Sequence, residues 1–502
     1  MLSNVLSATV LGVHGQPVAV EVHIGQGLPG FTILGRPDEV CREARDRVRA
    51  AFVSSGLEWP ARRITMNLAP SDVRKVGSSL DLAIAIAVLA ANGKVPSASI
   101  ANTAFVGELG LDGRLRAVVG AAPMIAARRD VDVVVPTDNW AEASIVRPRS
   151  VRVASSLFEV VECLNGLREW TCPEGARSRD SDAAVVPDLA DVRGQETARL
   201  GLELAASGGH HLLLIGPPGS GKTMLAQRLP GLLPRLDDDT ALAATMVRSA
   251  AGEPLPPGGL VTIPPIRMPH HSLSHIAMVG GGSGVLRPGE ISLAHGGVLF
   301  LDELGEFAPS TLDALRQPLE EGVVRLSRAN ATATLPARFT LVGATNPCPC
   351  GGGPPGSCSC DDSALARYRR RFSGPLLDRF DLRVVVQSPE ADELLGQFAG
   401  ESTAEVLVRV QAARDRAIER QGRLNAALDA SSIDEHAPLS EAARRLLRDN
   451  VERGRLSGRG LLRVRRVARS LADLAAHDGE LTDHHIAAAL ALRSHIGVRP
   501  RP

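Results

Sequence analysis

The chain has 502 residues, and its 56 Lys and Arg residues balance 56 Asp and Glu residues, so the formal net charge is zero. At this length a single hydrophobic core is excluded, and about three domains are expected. Zero net charge excludes a basic field over the whole surface. Any contact with nucleic acid must therefore come from local arginine patches or from an assembled ring.

The distribution of cysteine and apolar residues predicts a soluble, cytoplasmic protein. Four of the seven cysteines are crowded between positions 348 and 360, which does not resemble a secreted disulfide framework. The N-terminus has no basic leader before its apolar residues, and no stretch reaches about 18 consecutive apolar residues. We therefore predict neither a signal peptide nor a membrane span.

Residues 1–172 are predicted to form an α/β domain. The patterns predict strands over 18–24, 63–68 and 131–135, a strand-turn-strand unit over 105–115, and helices over 38–54 and 80–91. This segment contains no metal or phosphate motif.

Three stretches of this domain, 30–38, 63–70 and 75–82, resemble the Lon-protease-like fold at the N-terminus of magnesium-chelatase-type ATPases. That resemblance implies a nucleophilic serine at Ser79 and a partner lysine in the helix after residue 120. The chain has Ala122 there and no lysine to take the hydroxyl proton. We therefore expect a protease fold without protease activity.

The remaining chain divides into a linker, a core and a helical lid. Residues 173–190 are small, polar and flanked by prolines, as in a linker. The core spans 191–389 and the lid 390–502. Lid helices are predicted over 390–396, 404–421, 440–453, 460–478 and 483–492, with Ser440 and Thr482 as caps.

The core opens with an apolar run over 211–215 that leads into a glycine-rich loop. This loop has the spacing of a phosphate-binding loop and consists of Gly216, Pro217, Pro218, Gly219, Ser220, Gly221, Lys222 and Thr223. The glycines let backbone N–H groups point at phosphate oxygens, and Lys222 adds a cation for the outer phosphates. Thr223 offers a hydroxyl to Mg²⁺ at the start of a helix. The loop predicts binding of ATP with Mg²⁺.

Two later strands end in polar side chains suited to hydrolysis. The apolar run 298–301 is typical of a central parallel strand and is followed by Asp302 and Glu303. Asp302 is predicted to orient Mg²⁺, and Glu303 to act as base on the attacking water. The next strand, 339–346, ends in Asn346, which we predict to contact the attacking water or the γ-phosphate.

Arginines are predicted to complete the site. Arg379 lies in a polar turn after a helix end, from which it would reach the γ-phosphate bound by a neighbouring subunit. Arg459 opens a lid helix and is predicted to move onto the nucleotide of its own subunit when the lid closes. Arg463 is an alternative for that role.

Together these features indicate an AAA+ ATPase. Longer sequence motifs indicate a particular group within the AAA+ proteins. MPHHS at 268–272, GGG at 280–282, RPGEISLAHGGVLFLDE at 287–303 and NPCPCG at 346–351 resemble the YifB/ComM group of magnesium-chelatase-like proteins. The resemblance covers nearly the whole chain. It implies a homohexameric ring that couples ATP hydrolysis to movement along DNA, with branch migration of recombination junctions.

The AAA+ branch that the chain resembles carries two insertions aimed at the pore of the ring. The first would span 267–284 and contains His270, His271 and His275, for which a structural role and metal binding are both open. The second is a hairpin over 323–334 in which Arg325 and Arg328 would line the pore and bind a phosphate backbone without sequence preference. Packing of this hairpin against neighbouring subunits is the alternative.

The four crowded cysteines form two C-x-C pairs. Cys348, Cys350, Cys358 and Cys360 have the ligand type that zinc prefers, and a short Gly/Pro loop between the pairs would need such a crosslink. Structural Zn²⁺, reduced thiols and a redox switch are all open.

The prediction for function is an ATP-driven hexamer acting on single-stranded or branched DNA. The alternative is a magnesium-chelatase-type ATPase subunit that remodels a protein partner for metal insertion. An ATP-dependent protease is disfavoured because position 122 lacks the lysine.

Overall fold

The computed structural model describes residues 1–146, 149–171, 186–282, 286–328, 331–352, 358–372, 374–388 and 400–493. The predicted helix over 390–396 and most of the predicted linker lie outside these residues. Within the described part of the chain, no helix combines the length and apolarity needed to cross a membrane.

The N-terminal domain is built on a mixed sheet of seven strands in the order β3-β4-β2-β1-β5-β8-β9. Its strands are β1 (Leu2–Leu11), β2 (His14–Gly25), β3 (Gly30–Leu34), β4 (Arg63–Ala69), β5 (Thr103–Phe105), β6 (Glu108–Leu109), β7 (Leu115–Arg116), β8 (Asp132–Pro136) and β9 (Ser150–Ala154). Its helices are α1 (Glu39–Ser54), α2 (Asp81–Ala91), α3 (Ser97–Ile100), α4 (Ala121–Ala126), α5 (Trp140–Val146) and α6 (Leu157–Leu164). The predicted strands and helices of this domain are confirmed.

Helix α2 is the centre of this domain, because all of its residues are buried. Its one acid, Asp81, accepts hydrogen bonds of 2.7 and 3.0 Å from Arg47 of α1. A buried carboxylate requires such a partner. Burial nevertheless raises the pKa of Asp81 to about 6.

The core domain contains a parallel sheet of five strands in the order β11-β14-β17-β10-β18. The strands of this domain are β10 (Leu212–Ile215), β11 (Ile266–Arg267), β12 (Gly280–Gly281), β13 (Arg287–Pro288), β14 (Val298–Leu301), β15 (Val323–Arg328), β16 (Ala331–Pro336), β17 (Thr340–Thr345) and β18 (Leu382–Val385). Its helices are α7 (Glu196–Gly208), α8 (Lys222–Arg228), α9 (Asp238–Ala251), α10 (His275–Val279), α11 (Glu290–Leu293), α12 (Pro309–Asp313), α13 (Arg316–Glu321), α14 (Asp362–Arg371) and α15 (Gly374–Leu377). Strands β10 and β14 are buried throughout, which explains their continuous apolar sequence.

The C-terminal region is helical, as predicted, with α16 (Thr403–Gln421), α17 (Ile433–His436), α18 (Glu441–Glu452), α19 (Gly458–Leu474) and α20 (Asp483–Ala491). Ser440 and Thr482 cap α18 and α20, as predicted. Buried hydrogen bonds attach these helices to the amino end of the parallel sheet. The ring of His210 lies 3.1 Å from Asp381, which precedes β18, and 2.8 Å from Ser470 of α19.

The N-terminal domain packs directly on the core. The turn between β1 and β2 places Val13 in the same hydrophobic cluster as Leu335 of the hairpin β15–β16, and His14 Nε2 donates to Thr334 O at 3.2 Å. At a second contact, the backbone N–H of Ala122 donates to Ser249 Oγ of α9 at 3.2 Å. The two domains therefore share one apolar core at the base of the hairpin.

One buried histidine gives the fold an acid sensitivity. His295 is buried before β14, and its Nδ1 accepts the backbone N–H of Arg338 at 3.0 Å, so that nitrogen must be unprotonated. Burial and the charge of Arg338 lower the pKa of His295 to about 4. Protonation therefore favours the unfolded chain, in which the pKa is about 6.5, and stability falls as the pH drops from about 6.5 towards 4.

We expect His295→Asn to remove this part of the pH dependence, since the Asn oxygen accepts the same hydrogen bond and does not titrate. Between pH 7.5 and 5, the loss in free energy of unfolding should be smaller by about 2 kcal/mol than in the wild type. Denaturant titrations at the two pH values measure it. The exposed His484→Asn is the control, and an unchanged pH dependence in His295→Asn would contradict the assignment.

Candidate active site

The glycine-rich loop joins β10 to α8 and wraps around the side chain of Lys222. Gly219 and Gly221 have φ angles of +76° and +85°, a region that glycine adopts without strain. Lys222 Nζ donates to the carbonyls of Gly216 and Pro217, both at 2.8 Å. Burial lowers the pKa of Lys222, while the charges of Asp302 and Glu303 act in the opposite direction.

The loop fits a phosphate group on two observations. Ser220 Oγ is buried and has no hydrogen-bond partner, so a donor is available inside the loop. A Cβ on Gly216 would collide with the carbonyl of Val386, so the backbone there must approach closely without a side chain. Both are expected where a backbone cradles an oxyanion.

The acids after β14 face the loop. Thr223 Oγ1 donates to Asp302 Oδ2 at 2.6 Å, which brings together the hydroxyl and the carboxylate that a magnesium site needs. Glu303 has a φ of +50°, unusual for a residue with a side chain, and this turns the chain directly after the strand. Its carboxylate is largely exposed and lies 3.2 Å from His271 Nδ1.

Asn346 lies on the same edge of the sheet, directly after β17. Its Oδ1 is 3.4 Å from Lys222 Nζ. Tyr368, the only tyrosine in the chain, donates its hydroxyl to the Asn346 carbonyl at 3.0 Å and lies 2.9 Å from Thr345 Oγ1. The structure thus brings together Lys222, Thr223, Asp302 and Asn346, with Glu303 beside them.

Three residues of this site were not predicted from the sequence. Tyr368 fixes the backbone of Asn346, Gln195 donates to the Ser220 carbonyl at 2.8 Å, and His271 contacts Glu303. Gln195 has a left-handed backbone with φ of +57° at the start of α7, which no side-chain pattern signals. His270 and His271 stack on each other with centroids 4.1 Å apart.

The arginines lie at the other end of the parallel sheet. Arg379 is in the turn before β18 and pairs with Glu320 of α13. Arg463 of α19 is buried, with Nε 3.7 Å from Asp381, whereas Arg459 is exposed. Burial, followed by the charges of Arg463, Arg459 and Arg316, lowers the pKa of Arg379. The glycine-rich loop follows the carboxyl end of β10. These arginines therefore do not lie beside the glycine-rich loop of their own chain.

A cavity of about 550 Å³ separates the lid helices from the core at this amino end of the sheet. Its charged lining consists of Asp378, Arg383, Arg455, Arg459, Arg463 and Arg493. Burial of Asp381 alone would raise its pKa, but the hydrogen bond and charge of His210 and the charge of Arg463 outweigh it, so the pKa falls to about 2. Five arginines against one acid give the cavity lining a net positive charge.

The four cysteines converge next to Asn346. All four Sγ atoms lie within 4.8 Å of one another, and Cys348 Sγ is 3.3 Å from Cys350 Sγ and 3.6 Å from Cys358 Sγ. Tetrahedral zinc with bonds of about 2.3 Å requires sulfur–sulfur distances of about 3.8 Å. The donor set therefore fits zinc. Gly351 packs against Pro218 of the phosphate loop, where a Cβ would lie 3.0 Å from the proline ring.

The two insertions are partly described. In the first, His275 begins α10, and β12 pairs with β13. In the hairpin β15–β16, Arg325 is opposite Thr334, and its exposed side chain pairs with Glu321. The side chain of Arg328 lies outside the described part of the structure.

In the N-terminal domain, Ser79 is buried, and position 122 presents a buried alanine in α4. Lys75 is also buried, and its Nζ donates to the carbonyls of Pro70 and Val73, the latter at 2.8 Å. Desolvation lowers the pKa of Lys75. Because carbonyls occupy this amine, it is not placed to act as a base.

Comparison with known families gives matches along most of the chain. The family described as magnesium chelatase, subunit ChlI, matches residues 188–394, a related ChlI family matches 20–139, and the ChlI C-terminal family matches 400–493. An uncharacterized protein of Mycobacterium tuberculosis H37Rv is 46% identical over 506 residues, covering 98% of each chain. YifB of Escherichia coli K12 is 44% identical and the competence protein ComM of Haemophilus influenzae Rd is 40% identical, each covering 98% of this chain and 97% of the relative.

A more distant likeness covers part of the chain. A protein of Oryza sativa subsp. indica named as a probable DNA helicase, MCM9, is 25% identical over 259 residues, which are 49% of this chain and 33% of that protein.

Proposed function

The chain belongs to the YifB/ComM family of magnesium-chelatase-like AAA+ proteins, and from this membership and its site we propose that it is an ATP-driven ring motor acting on DNA. The observation that carries the proposal is the convergence of Lys222, Thr223, Asp302 and Asn346 at the carboxyl edge of one parallel sheet. This arrangement suits hydrolysis of a nucleoside triphosphate.

In the proposed reaction, Lys222 binds the outer phosphates and the loop N–H groups hold the remaining oxygens. Thr223 and Asp302 would hold Mg²⁺, which neutralises charge on the phosphates. Glu303 accepts a proton from the attacking water, and Asn346 orients that water. Tyr368 keeps Asn346 in place through its backbone carbonyl.

We further propose that each site is completed by the next subunit of a homohexamer. Arg379 and Arg459 lie at the sheet end opposite their own phosphate loop, so both would serve a neighbour's γ-phosphate. For Arg459, the proposed contact with a neighbour's nucleotide replaces the role on its own subunit's nucleotide that the sequence predicts. The burial of Arg463 beside Asp381 favours Arg459 over Arg463 as the group that contacts nucleotide.

The DNA part of the proposal rests on two kinds of support. ComM is named a competence protein, and MCM9 is named a probable DNA helicase. The exposed Arg325 of the hairpin β15–β16, which pairs with Glu321, would be repeated around a ring and offer one cation per subunit to a phosphate backbone despite zero net charge. Branch migration on single-stranded or branched DNA is the specific activity that we propose. The match to ChlI families favours a chelatase-type motor as the second candidate.

The first test measures ATP hydrolysis by the purified protein with and without single-stranded DNA or a synthetic four-way junction. We expect DNA to stimulate hydrolysis, the junction to be resolved, and Lys222→Ala to abolish both activities. Arg325→Ala should weaken DNA binding about ten-fold through loss of one cation per subunit. Arg444→Ala, which removes an exposed arginine paired with Glu441, is the matched control. Hydrolysis without DNA stimulation or junction turnover would favour the chelatase-type motor.

The shared site is tested with mixed rings. Arg459→Ala subunits and Lys222→Ala subunits are each expected to be inactive alone. If Arg459 acts on the neighbour, equal mixing should restore about one quarter of the wild-type hydrolysis rate, because that share of interfaces combines an intact loop with intact arginines. The same experiment applies to Arg379→Ala. Arg453→Ala, an exposed arginine outside the cavity, should retain full activity. If mixing restores no ATP hydrolysis, Arg459 acts on the nucleotide of its own subunit.

We also propose that the four cysteines hold one structural Zn²⁺ that supports the phosphate loop through Gly351 and Pro218. Elemental analysis of the purified protein should give about one zinc per chain. Cys358→Ser should lose the metal and lower the melting temperature by several degrees, whereas Cys163→Ser in the N-terminal domain should not lose it. Absence of zinc from the wild type, with all seven cysteines of the denatured protein titrating as thiols, would show that the four are free.

A further inference from the structure

The side chain of Gln195 lies against the glycine-rich loop with one end of its amide unpaired. Its Nε2 donates to the Ser220 carbonyl at 2.8 Å. Its Oε1 is buried and has no hydrogen-bond partner among the described residues. Buried polar atoms in folded proteins are nearly always paired, so a buried acceptor beside a ligand site is expected to receive its hydrogen from the ligand. The hydrolysis proposed above makes no use of this oxygen.

The backbone holds this amide in place. Gly194 and Gln195 have φ angles of +60° and +57°, and the second is in a region that residues with a side chain rarely adopt. The Gln195 carbonyl accepts the backbone N–H groups of Ala198 at 2.9 Å and of Arg199 at 3.0 Å, which begin α7. Left-handed residues of this kind are held by the surrounding structure and cluster at ligand sites. The position of Oε1 is therefore set by the backbone and by the contact with Ser220.

The strand order shows which part of a bound nucleotide would meet Gln195. Helix α7, which Gln195 precedes, packs on β18, where a Cβ on Gly201 would lie 3.0 Å from Val384. Strands β18 and β17 flank β10 on opposite sides. Asn346 follows β17, so Gln195 and Asn346 lie on opposite flanks of the loop that follows β10. With the outer phosphates at Lys222 and Asn346, the nucleoside extends towards Gln195.

The chemistry of Oε1 limits the group that it can bind. A carbonyl oxygen only accepts hydrogen bonds, and so do phosphate oxygens, so the partner is a donor on the nucleoside. In ATP these donors are the exocyclic amine of adenine and the ribose hydroxyls. Met224 favours the base, because a Cβ on Gly221 would lie 3.5 Å from the Met224 methyl group and 3.4 Å from Gln195 Nε2. A thioether side chain beside an amide suits the face and the edge of an aromatic ring.

We propose that Gln195 Oε1 accepts a hydrogen bond from the exocyclic amine of adenine, which makes Gln195 a specificity-determining residue for the nucleotide. The inference deepens the proposed function and rests on ATP being the substrate. Guanine has a carbonyl oxygen in place of this amine, so two acceptors would face each other and the amide oxygen would stay unpaired. The same amide holds the Ser220 carbonyl through Nε2, and recognition of the base is thereby joined to the glycine-rich loop.

The test measures equilibrium binding of nucleoside diphosphates to the full-length protein by calorimetry, so that no hydrolysis interferes. The ligands are ADP, its analogue without the exocyclic amine (purine riboside diphosphate), 2′-deoxyADP, 3′-deoxyADP and GDP. The wild type should bind the amine-free analogue about ten-fold more weakly than ADP, as expected for one hydrogen bond to a buried acceptor, and GDP about 100-fold more weakly. Removal of either ribose hydroxyl should change the dissociation constant by less than about two-fold.

Variants assign this difference to Gln195. In Gln195→Ala, and in Gln195→Met, which retains the bulk of the side chain, ADP and the amine-free analogue should bind equally. The ratio of kcat/KM for ATP to that for GTP should fall about ten-fold. Both variants also lose the contact with Ser220, but that loss affects all ligands alike and cancels in the comparison. Gln411→Ala removes a glutamine of α16 whose amide donates to Asp415, and it should keep the wild-type preference.

Equal binding of ADP and the amine-free analogue to the wild type overturns the role of Gln195 and leaves the proposed ATPase function intact. A loss of binding confined to the deoxy analogues shows that Oε1 binds the ribose, and it overturns the assignment to the base. A preference for ADP that persists unchanged in Gln195→Ala assigns the amine to another residue and likewise overturns the role of Gln195. If the wild type binds no adenine nucleotide, the proposed function fails together with this inference.

Discussion

The site depends on the hydrogen-bonded register of three adjacent parallel strands. Ile215 of β10 pairs with Thr345 of β17, and Leu301 of β14 pairs with Gly343 of β17. These pairings bring the phosphate loop, the acids and Asn346 to one edge of the sheet. A slip by one residue would turn every side chain of a strand to the opposite face. The buried apolar side chains of these strands hold the register, so the core of the sheet and the geometry of the site have the same cause.

The same pairing explains which parts of the site could be predicted from the sequence. A buried parallel strand appears in the sequence as a short apolar run, and the polar residues after it lie at the carboxyl edge of the sheet. For this reason Lys222, Asp302, Glu303 and Asn346 could be predicted from the sequence. Tyr368 could not, because its contact with Asn346 spans 22 residues and follows no periodic pattern. The cysteine cluster is an intermediate case, because the sequence shows the ligand type, whereas the convergence of the four sulfur atoms is a property of the tertiary structure.

The position of the lid on the core could not be predicted from sequence patterns, for a different reason. Helical periodicity and the caps at Ser440 and Thr482 identify the helices but not the end of the sheet on which they pack. That end is set by an apolar cluster that the lid helices share with α7 and the sheet, and by a buried polar network in which His210 bridges Asp381 and Ser470 and Asn425 donates to Ser470 at 3.1 Å. Buried polar networks of this kind hold one arrangement because any other leaves their members unpaired. A helical region fixed in this way holds Arg459 and Arg463 in defined positions at the amino end of the sheet.

The N-terminal domain has a structural part in this arrangement. Its β1–β2 turn packs Val13 into the core cluster beneath the hairpin β15–β16 and hydrogen-bonds Thr334, the residue paired with Arg325. A two-stranded hairpin is only marginally stable alone, so a packed base is needed to hold Arg325 in a defined position. The domain meets that need through the sheet, the buried helix α2 and the contact of Ala122 with Ser249, none of which requires a nucleophile or a base. The packing of the domain therefore constrains the hairpin, and this role needs no lysine at position 122.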